Sequence, residues 1–114
     1  MITAIVGSRN YNDYLYFSLM VDEFRKRQEI TMVVSGGTTG VDSMAYRYAV
    51  ERGITFVCHP PHPEDGSRKF TRRNLRIAEH CEIMLAFPTK DSKGTHNSIR
   101  LARKLGKKVY VINV

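Results

Sequence analysis

Three short stretches of the chain hold residue types whose spacing could do chemistry. The longest is Ser35-Gly36-Gly37-Thr38-Thr39-Gly40-Val41-Asp42. Its three glycines let the backbone turn sharply and let a ligand approach with no Cβ in the way. The turn runs into a helix start, where unpaired N–H groups and the positive end of the dipole favour an anion, most often a phosphate. The spacing is neither the Walker pattern, since Val41-Asp42 follows the last glycine, nor GxGxxG. Asp42 lies in the first helical turn, as a favourable dipole charge, an acceptor for a ribose hydroxyl, or a clamp on the glycine loop. Gly7-Ser8-Arg9 is the second stretch. The Arg9 guanidinium can grip a phosphate or carboxylate with two parallel hydrogen bonds, or remain a surface arginine. Gly94-Thr95 is the third and also opens a helix, with His96 beside it as a candidate acid or base or as an exposed helix-start histidine.

The elements that must position these stretches follow from hydrophobic pattern. Apolar runs predict strands at Ile2–Val6, Ile30–Val34, Ile54–Cys58, Glu82–Phe87 and Lys108–Val114. Helical spacing predicts helices over about Asp13–Gln28, Gly40–Arg52, Ser67–His80 and from Gly94 to Leu105. Asn12-Asp13 offers an N-cap to the first helix, and Gly53 suits the position after the second. Phe70, Asn74, Ile77, Ala78 and Cys81 share the predicted inner face of the third. The segment His59–Gly66 carries three prolines and is predicted to be an irregular loop. Alternating strands and helices, with strands that are apolar almost throughout, predict an α/β fold. It is a single Rossmann-like doubly wound domain over residues 1–114, with a five-stranded parallel sheet of order 3-2-1-4-5 and helices on both faces. The three small-residue turns then converge on the carboxyl edge of the sheet, where such folds bind ligands.

Composition narrows the partners. The chain has 114 residues, 42% of them hydrophobic, and a net charge of +7. It is long enough for one core, and the charge suits anionic partners. No apolar run approaches the ~20 residues of a membrane span, and no signal-like segment precedes the first strand, so no membrane partner and a cytoplasmic location are expected. Cys58 and Cys81 lack metal spacing and are expected to be free, half-buried thiols. His59 and His62 form only an HxxH pair, so no metal and no separate cofactor are expected. Arg72 and Arg76 share one helical face, with Arg73 about 100° round from them. Tyr11, Tyr14 and Tyr16 cluster near the first helix, to pack, line a pocket mouth or form a subunit contact, which leaves room for a homodimer or higher oligomer.

Taken together, Ile5-Val6-Gly7-Ser8-Arg9, Val34-Ser35-Gly36-Gly37-x-x-Gly40-x-Asp42, Arg73-Asn74, Ala86-Phe87-Pro88 and Gly94-Thr95-x-Asn97 stand in a recognisable order. It resembles the YspA/YpsA-related branch of the SLOG superfamily, a Rossmann-like group. Its relatives include the lonely-guy phosphoribohydrolases and the DNA-processing protein A fold. The resemblance covers nearly the whole chain. It implies a nucleotide-type site built from Gly7, Ser8, Arg9, Ser35, Gly36, Gly37, Gly40, Asp42, Arg73, Asn74, Gly94, Thr95 and Asn97. The chain departs from the phosphoribohydrolase motif Pro-Gly-Gly-x-Gly-Thr-x-x-Glu. Its stretch from Pro88 is a longer lysine-bearing loop, and Ser98 stands where that glutamate would be. Serine cannot stabilise an oxocarbenium-like centre or activate water as a carboxylate does.

The expected function is therefore to bind a nucleotide, nucleotide-sugar or ADP-ribose-type ligand, as a sensor or sequestering protein. Arg9, the Gly36-Gly37 loop and the Gly94-Thr95 turn would hold phosphate, with Asp42 and Asn97 near ribose or base. The alternative is hydrolysis of an N-glycosidic or phosphoribosyl bond, with Arg73, Asp42 and His96 as candidate catalytic residues. Nucleic-acid binding is a second alternative, weakened by the lack of an aromatic platform among the basic residues.

Overall fold

Short apolar runs rich in β-branched residues form the strands of the computed structural model, which describes residues 1–114. β1 (Ile2–Gly7), β2 (Met32–Ser35), β3 (Thr55–Cys58), β4 (Ile83–Phe87) and β5 (Lys108–Val111) make one parallel sheet in the order β3-β2-β1-β4-β5. The chain runs outward from β1 to β3, then returns to β4 on the other side of β1. The switch point thus falls between β1 and β4, whose carboxyl ends are level, with Gly7 beside Phe87. The Ser8 N–H extends that pairing by donating to the Phe87 carbonyl at 3.0 Å.

Alternation along the strands sends side chains to two separate cores. Ile5, Val33 and Leu85 point into one, with α1 (Tyr14–Arg25) and α2 (Val41–Arg52) above them. Phe17 of α1 packs against Phe87 with ring centroids 4.9 Å apart, and both rings are fully buried. Burying a ring of this size stabilises by ~1.5–3 kcal/mol. Ala4, Val6, Val34, Met84 and Ala86 point the other way, under α3 (Lys69–His80) and α4 (Lys93–Lys104). The helix stripes read from sequence are the buried ones: Val41, Met44, Ala45, Tyr48 and Ala49 on α2 all lie in the first core.

Local chemistry sets the helix ends. The Asp13 carboxylate accepts from the Tyr16 N–H and caps α1. Gly53 closes α2 in the left-handed region, at φ 65°. Several expected boundaries shift. The first helix stops at Arg25 and not Gln28, because the Lys26, Arg27 and Gln28 N–H groups turn back to the Glu23 and Phe24 carbonyls. The second strand begins at Met32, two residues late, while the N–H of Thr31 donates to the Met1 carbonyl. The last strand ends at Val111. The proline-rich loop is more regular than expected. Pro63–Arg68 winds into a 3-10 segment, started by a proline whose fixed φ suits a first helical position and broken at Gly66.

Some side chains lie elsewhere than their pattern implies. Phe70 is 45% exposed rather than inside. Cys58 is exposed and Cys81 fully buried, so neither thiol is half-buried. Tyr11 and Tyr14 pack on the first core, and the Tyr14 hydroxyl donates to Glu51. Of the three tyrosines only Tyr16 is exposed. No helix is long and apolar enough to cross a membrane.

Candidate functional site

A cleft of about 360 Å³ opens at the carboxyl edge of the sheet, at the switch point. It lies at the small end of the ~300–1,000 Å³ typical of small-molecule sites, the scale of one nucleotide. Among its lining residues only Val6, Phe70 and Ile77 are apolar, so it suits a polar ligand. Its floor is Gly7-Ser8-Arg9 after β1. One wall is Gly36, Thr38 and Asp42 at the start of α2. Another is Gly94, Thr95 and Ser98 at the start of α4, and the third is Phe70, Arg73 and Asn74 from α3.

Arg73 is a guanidinium held inside the cleft wall. It is only 5% exposed. Its Nη1 donates to the Gly36 carbonyl at 2.7 Å, and its Nε donates to Asn74 Oδ1 at 3.0 Å. Its Nη2 has no acceptor within the protein. Burial lowers its pKa, and nearby Asp42 raises it in part. No carboxylate comes within ion-pair distance of it. A buried cation without a paired anion is costly, and the cleft that Arg73 lines gives an anion access to it.

Asp42 closes the glycine loop. Its Oδ2 accepts from the Thr38 hydroxyl at 2.8 Å and from the Thr38 N–H at 3.3 Å. Burial raises its pKa, and the Thr38 hydrogen bonds and the Arg73 charge oppose that rise. The Ser35 hydroxyl beside the carboxylate opposes the rise as well. Of the three roles open to this carboxylate, the loop clamp is the one its contacts display.

The start of α4 offers a different surface. Ser92 makes no side-chain cap, and the first turn contains no acidic residue. The N–H groups of Gly94 and Thr95 have no backbone acceptor. Nothing lies within 4 Å of where a Cβ on Gly94 would stand. A helix-start glycine with open space in front leaves backbone donors free for an anion. Across the floor, the Thr89 hydroxyl donates to Ser8 Oγ at 3.2 Å, tying the loop after β4 to the turn after β1.

The cleft brings together Gly7, Ser8, Arg9, Gly36, Asp42, Arg73, Asn74, Gly94 and Thr95. It leaves out Ser35, Gly37, Gly40 and Asn97. The Ser35 hydroxyl is buried and donates to the Ile5 carbonyl at 2.7 Å. Gly37 packs against Cys58, whose Sγ would be 2.5 Å from a Cβ there. Gly40 has φ +71° and lies so close to β1 that a Cβ would fall 2.3 Å from the Ser8 carbonyl oxygen. Asn97 faces along its own helix and accepts from Arg100 at 3.1 Å. His96 is exposed, hydrogen-bonded to the Thr89 carbonyl and outside the cleft. His59 shares a hydrogen bond with His80 at 2.8 Å.

Sequence reasoning missed Thr38, Thr89 and above all Phe70 as cleft residues. Phe70 stands at the rim with Lys69 Nζ 5.3 Å and Arg73 Cζ 5.8 Å from its ring centre. An aromatic platform among basic residues therefore exists. Its sequence signal is Lys69-Phe70-x-x-Arg73, which the periodicity of the helix stripe conceals.

The model of the YspA, cpYpsA-related SLOG family matches residues 1–65, more than half of the chain. Among solved structures the chain is similar to DNA processing protein A from Helicobacter pylori, a protein with a single-stranded DNA binding mode. The TM-score is 0.75 at 19% identity, over 97% of this chain and 64% of that one. It is similar also to DNA processing protein A from Streptococcus pneumoniae, with TM-score 0.75 at 20% identity, over 96% of this chain and 49% of that one. The chain thus spans from about half to just under two thirds of the length of these structures, and the likeness is one of fold. No curated protein matches the chain.

Proposed function

The chain belongs to the YspA, cpYpsA-related SLOG family, and from that premise we propose that residues 1–114 form a nucleotide-binding domain whose strand-end cleft holds a small nucleotide-type ligand. The observation that carries this reading is Arg73: a guanidinium buried to 5% exposure at the cleft wall, without an ion-pair partner, and with one nitrogen that no protein acceptor takes up. An anionic ligand supplies the partner it lacks. The free N–H groups at Gly94 and Thr95 complete a phosphate cradle, with Arg9 and Lys93 at its edge. Phe70 offers a π-face at the rim, where base stacking is worth ~1–3 kcal/mol. Asp42, which lines the cleft, stands where a ribose hydroxyl can be accepted.

Such a site binds and reports, or sequesters, a nucleotide, a nucleotide-sugar or an ADP-ribose-type ligand. The similarity to a single-stranded DNA-binding protein supports the same ligand chemistry, a phosphate joined to a base. The test is Gly36→Asp, titrated calorimetrically with AMP and ADP-ribose. Its Cβ would stand 2.7 Å from Arg73 Nη1, with the carboxylate beyond it. The variant folds and loses measurable affinity. Unchanged affinity contradicts the reading.

Hydrolysis of an N-glycosidic bond is the second reading, favoured by two carboxylates at the cleft, Asp42 and Asp91. Ser98, buried at the cleft wall where the phosphoribohydrolases have glutamate, weighs against it. Release of free base from a nucleoside monophosphate, abolished by Arg73→Ala, is the result that would establish it.

A further inference from the structure

The two helix layers of this protein differ sharply in charge. α3 carries four cations against one carboxylate, Glu79, and α4 carries four cations against none. Those two helices together account for the whole net charge of +7. On the opposite layer three of the five cations on or just past α1 and α2 are matched, Arg25 and Arg27 being the exceptions. Lys26 pairs with Glu23 at 2.8 Å, Arg47 with Glu51 at 3.2 Å and Arg52 with Asp22 at 3.6 Å. On the α3–α4 layer the single ion pair is Arg76 with Asp65.

The unmatched charges form a row. Lys93, Arg100 and Lys104 are exposed and fall within about 20° of one line along α4, at ~100° per residue. The axial steps between them are about 10 Å and 6 Å. Arg103 flanks the row, and Arg72 stands exposed on neighbouring α3. α4 thus places like charges at i, i+4 between Arg100 and Lys104, an arrangement that opposes the helix. A favourable dipole explains cations in its last turn, but not Arg100 and not Lys93, which sits at the positive end. The exposed face of α4 presents no large apolar side chain for insertion into a bilayer.

We infer that the outer face of α4, with Arg72 of α3 beside it, is a docking surface for the phosphate backbone of a single nucleic-acid strand, running away from the nucleotide cleft that it meets at Lys93. A row of cations one residue wide fits one flexible strand, whose backbone can adjust to unequal steps. Binding is driven by counterion release, so it is sequence-tolerant and salt-dependent.

The experiment is fluorescence anisotropy of labelled oligothymidylate with the full chain over a salt series. It compares wild type, the α4 variant Arg100→Gln/Lys104→Gln and a control on the other layer, Lys26→Gln/Arg27→Gln. Both double variants remove the same charge. The α4 variant is expected to lower the slope of log K against log salt by about 1.4, at ~0.7 for each phosphate no longer neutralised, while the control keeps the wild-type slope. Arg100→Gln alone lowers it by half as much and serves if the double variant folds poorly. Equal effects of the two double variants mean that net charge alone acts, and overturn the proposal. Wild-type binding to phosphatidylserine vesicles without binding to the oligonucleotide overturns it in favour of a membrane surface. The absence of any salt-dependent binding overturns it as well.

Discussion

Arg73 and Asp42 face one another across Gly36 without touching. A Cβ on Gly36 would stand 2.7 Å from Arg73 Nη1 and 2.9 Å from Asp42 Oδ2, yet no ion pair closes between them. Gly36 keeps the two charges apart and available. The Arg73 guanidinium uses the Gly36 carbonyl as its anchor, so the loop and the cation are set by one contact across 37 residues.

Gly36→Ala tests that spacing. The added methyl meets a guanidinium end that can shift, so the fold survives with a melting temperature near that of wild type. The cation is displaced from its anchor, and affinity for AMP falls by about tenfold, the loss of one charged hydrogen bond of ~1.5–3 kcal/mol at its lower limit. Calorimetric titration and a thermal melt on the same sample separate the two effects.

Gly40 and Gly94 predict opposite outcomes for the same substitution. Gly40→Ala places a Cβ against the Ser8 carbonyl at a positive φ and costs at least ~1–3 kcal/mol of stability in a denaturant titration. Gly94→Ala meets open space and gains up to ~1 kcal/mol from helix propensity. It weakens ligand binding all the same, because the methyl enters the cradle.

The contrast between these glycines shows what the sequence could carry. Three glycine-bearing turns at strand ends were legible as one edge, because strand order follows from handedness and apolar runs. The division of labour among the glycines was not. Gly36 and Gly94 line the cleft, while Gly37 and Gly40 permit close packing against Cys58 and Ser8. Only the approach of a distant strand distinguishes them. Phe70 was misplaced for a similar reason. It keeps the helical phase of Asn74 and Ile77, but the first turn of α3 lies at the rim of the cleft, so the face that is buried further along opens there. Asn97 fits the family spacing, yet it turns along α4 toward Arg100.

Phe70→Ala separates base from phosphate. Affinity for AMP falls by the ~1–3 kcal/mol of one stacked base, and affinity for ribose 5-phosphate stays at the wild-type value. Equal loss for both ligands would assign Phe70 to the shape of the cleft instead.

Asp42 predicts a pH dependence with a definite sign. Burial raises its pKa in the native state, so the folded protein holds this proton at pH values where the unfolded chain has released it. Stability from this group is therefore present at acid pH and lost as pH rises from about 4 through the raised value. Asp42→Asn removes that component. The difference in melting temperature between variant and wild type grows in favour of the variant across this window, then levels off.

The most direct test of the central claim is the melting temperature of the wild-type protein with AMP, against adenosine at the same concentration. At a hundred times its dissociation constant, AMP stabilises the native state by ~2.7 kcal/mol, a rise of roughly 10 °C for a domain near this size. Adenosine, which lacks the anion for Arg73, gives a much smaller rise. A rise with AMP that adenosine fails to match is the predicted result. Equal shifts with the two ligands, or none with AMP, ADP-ribose or any nucleoside monophosphate, would contradict it.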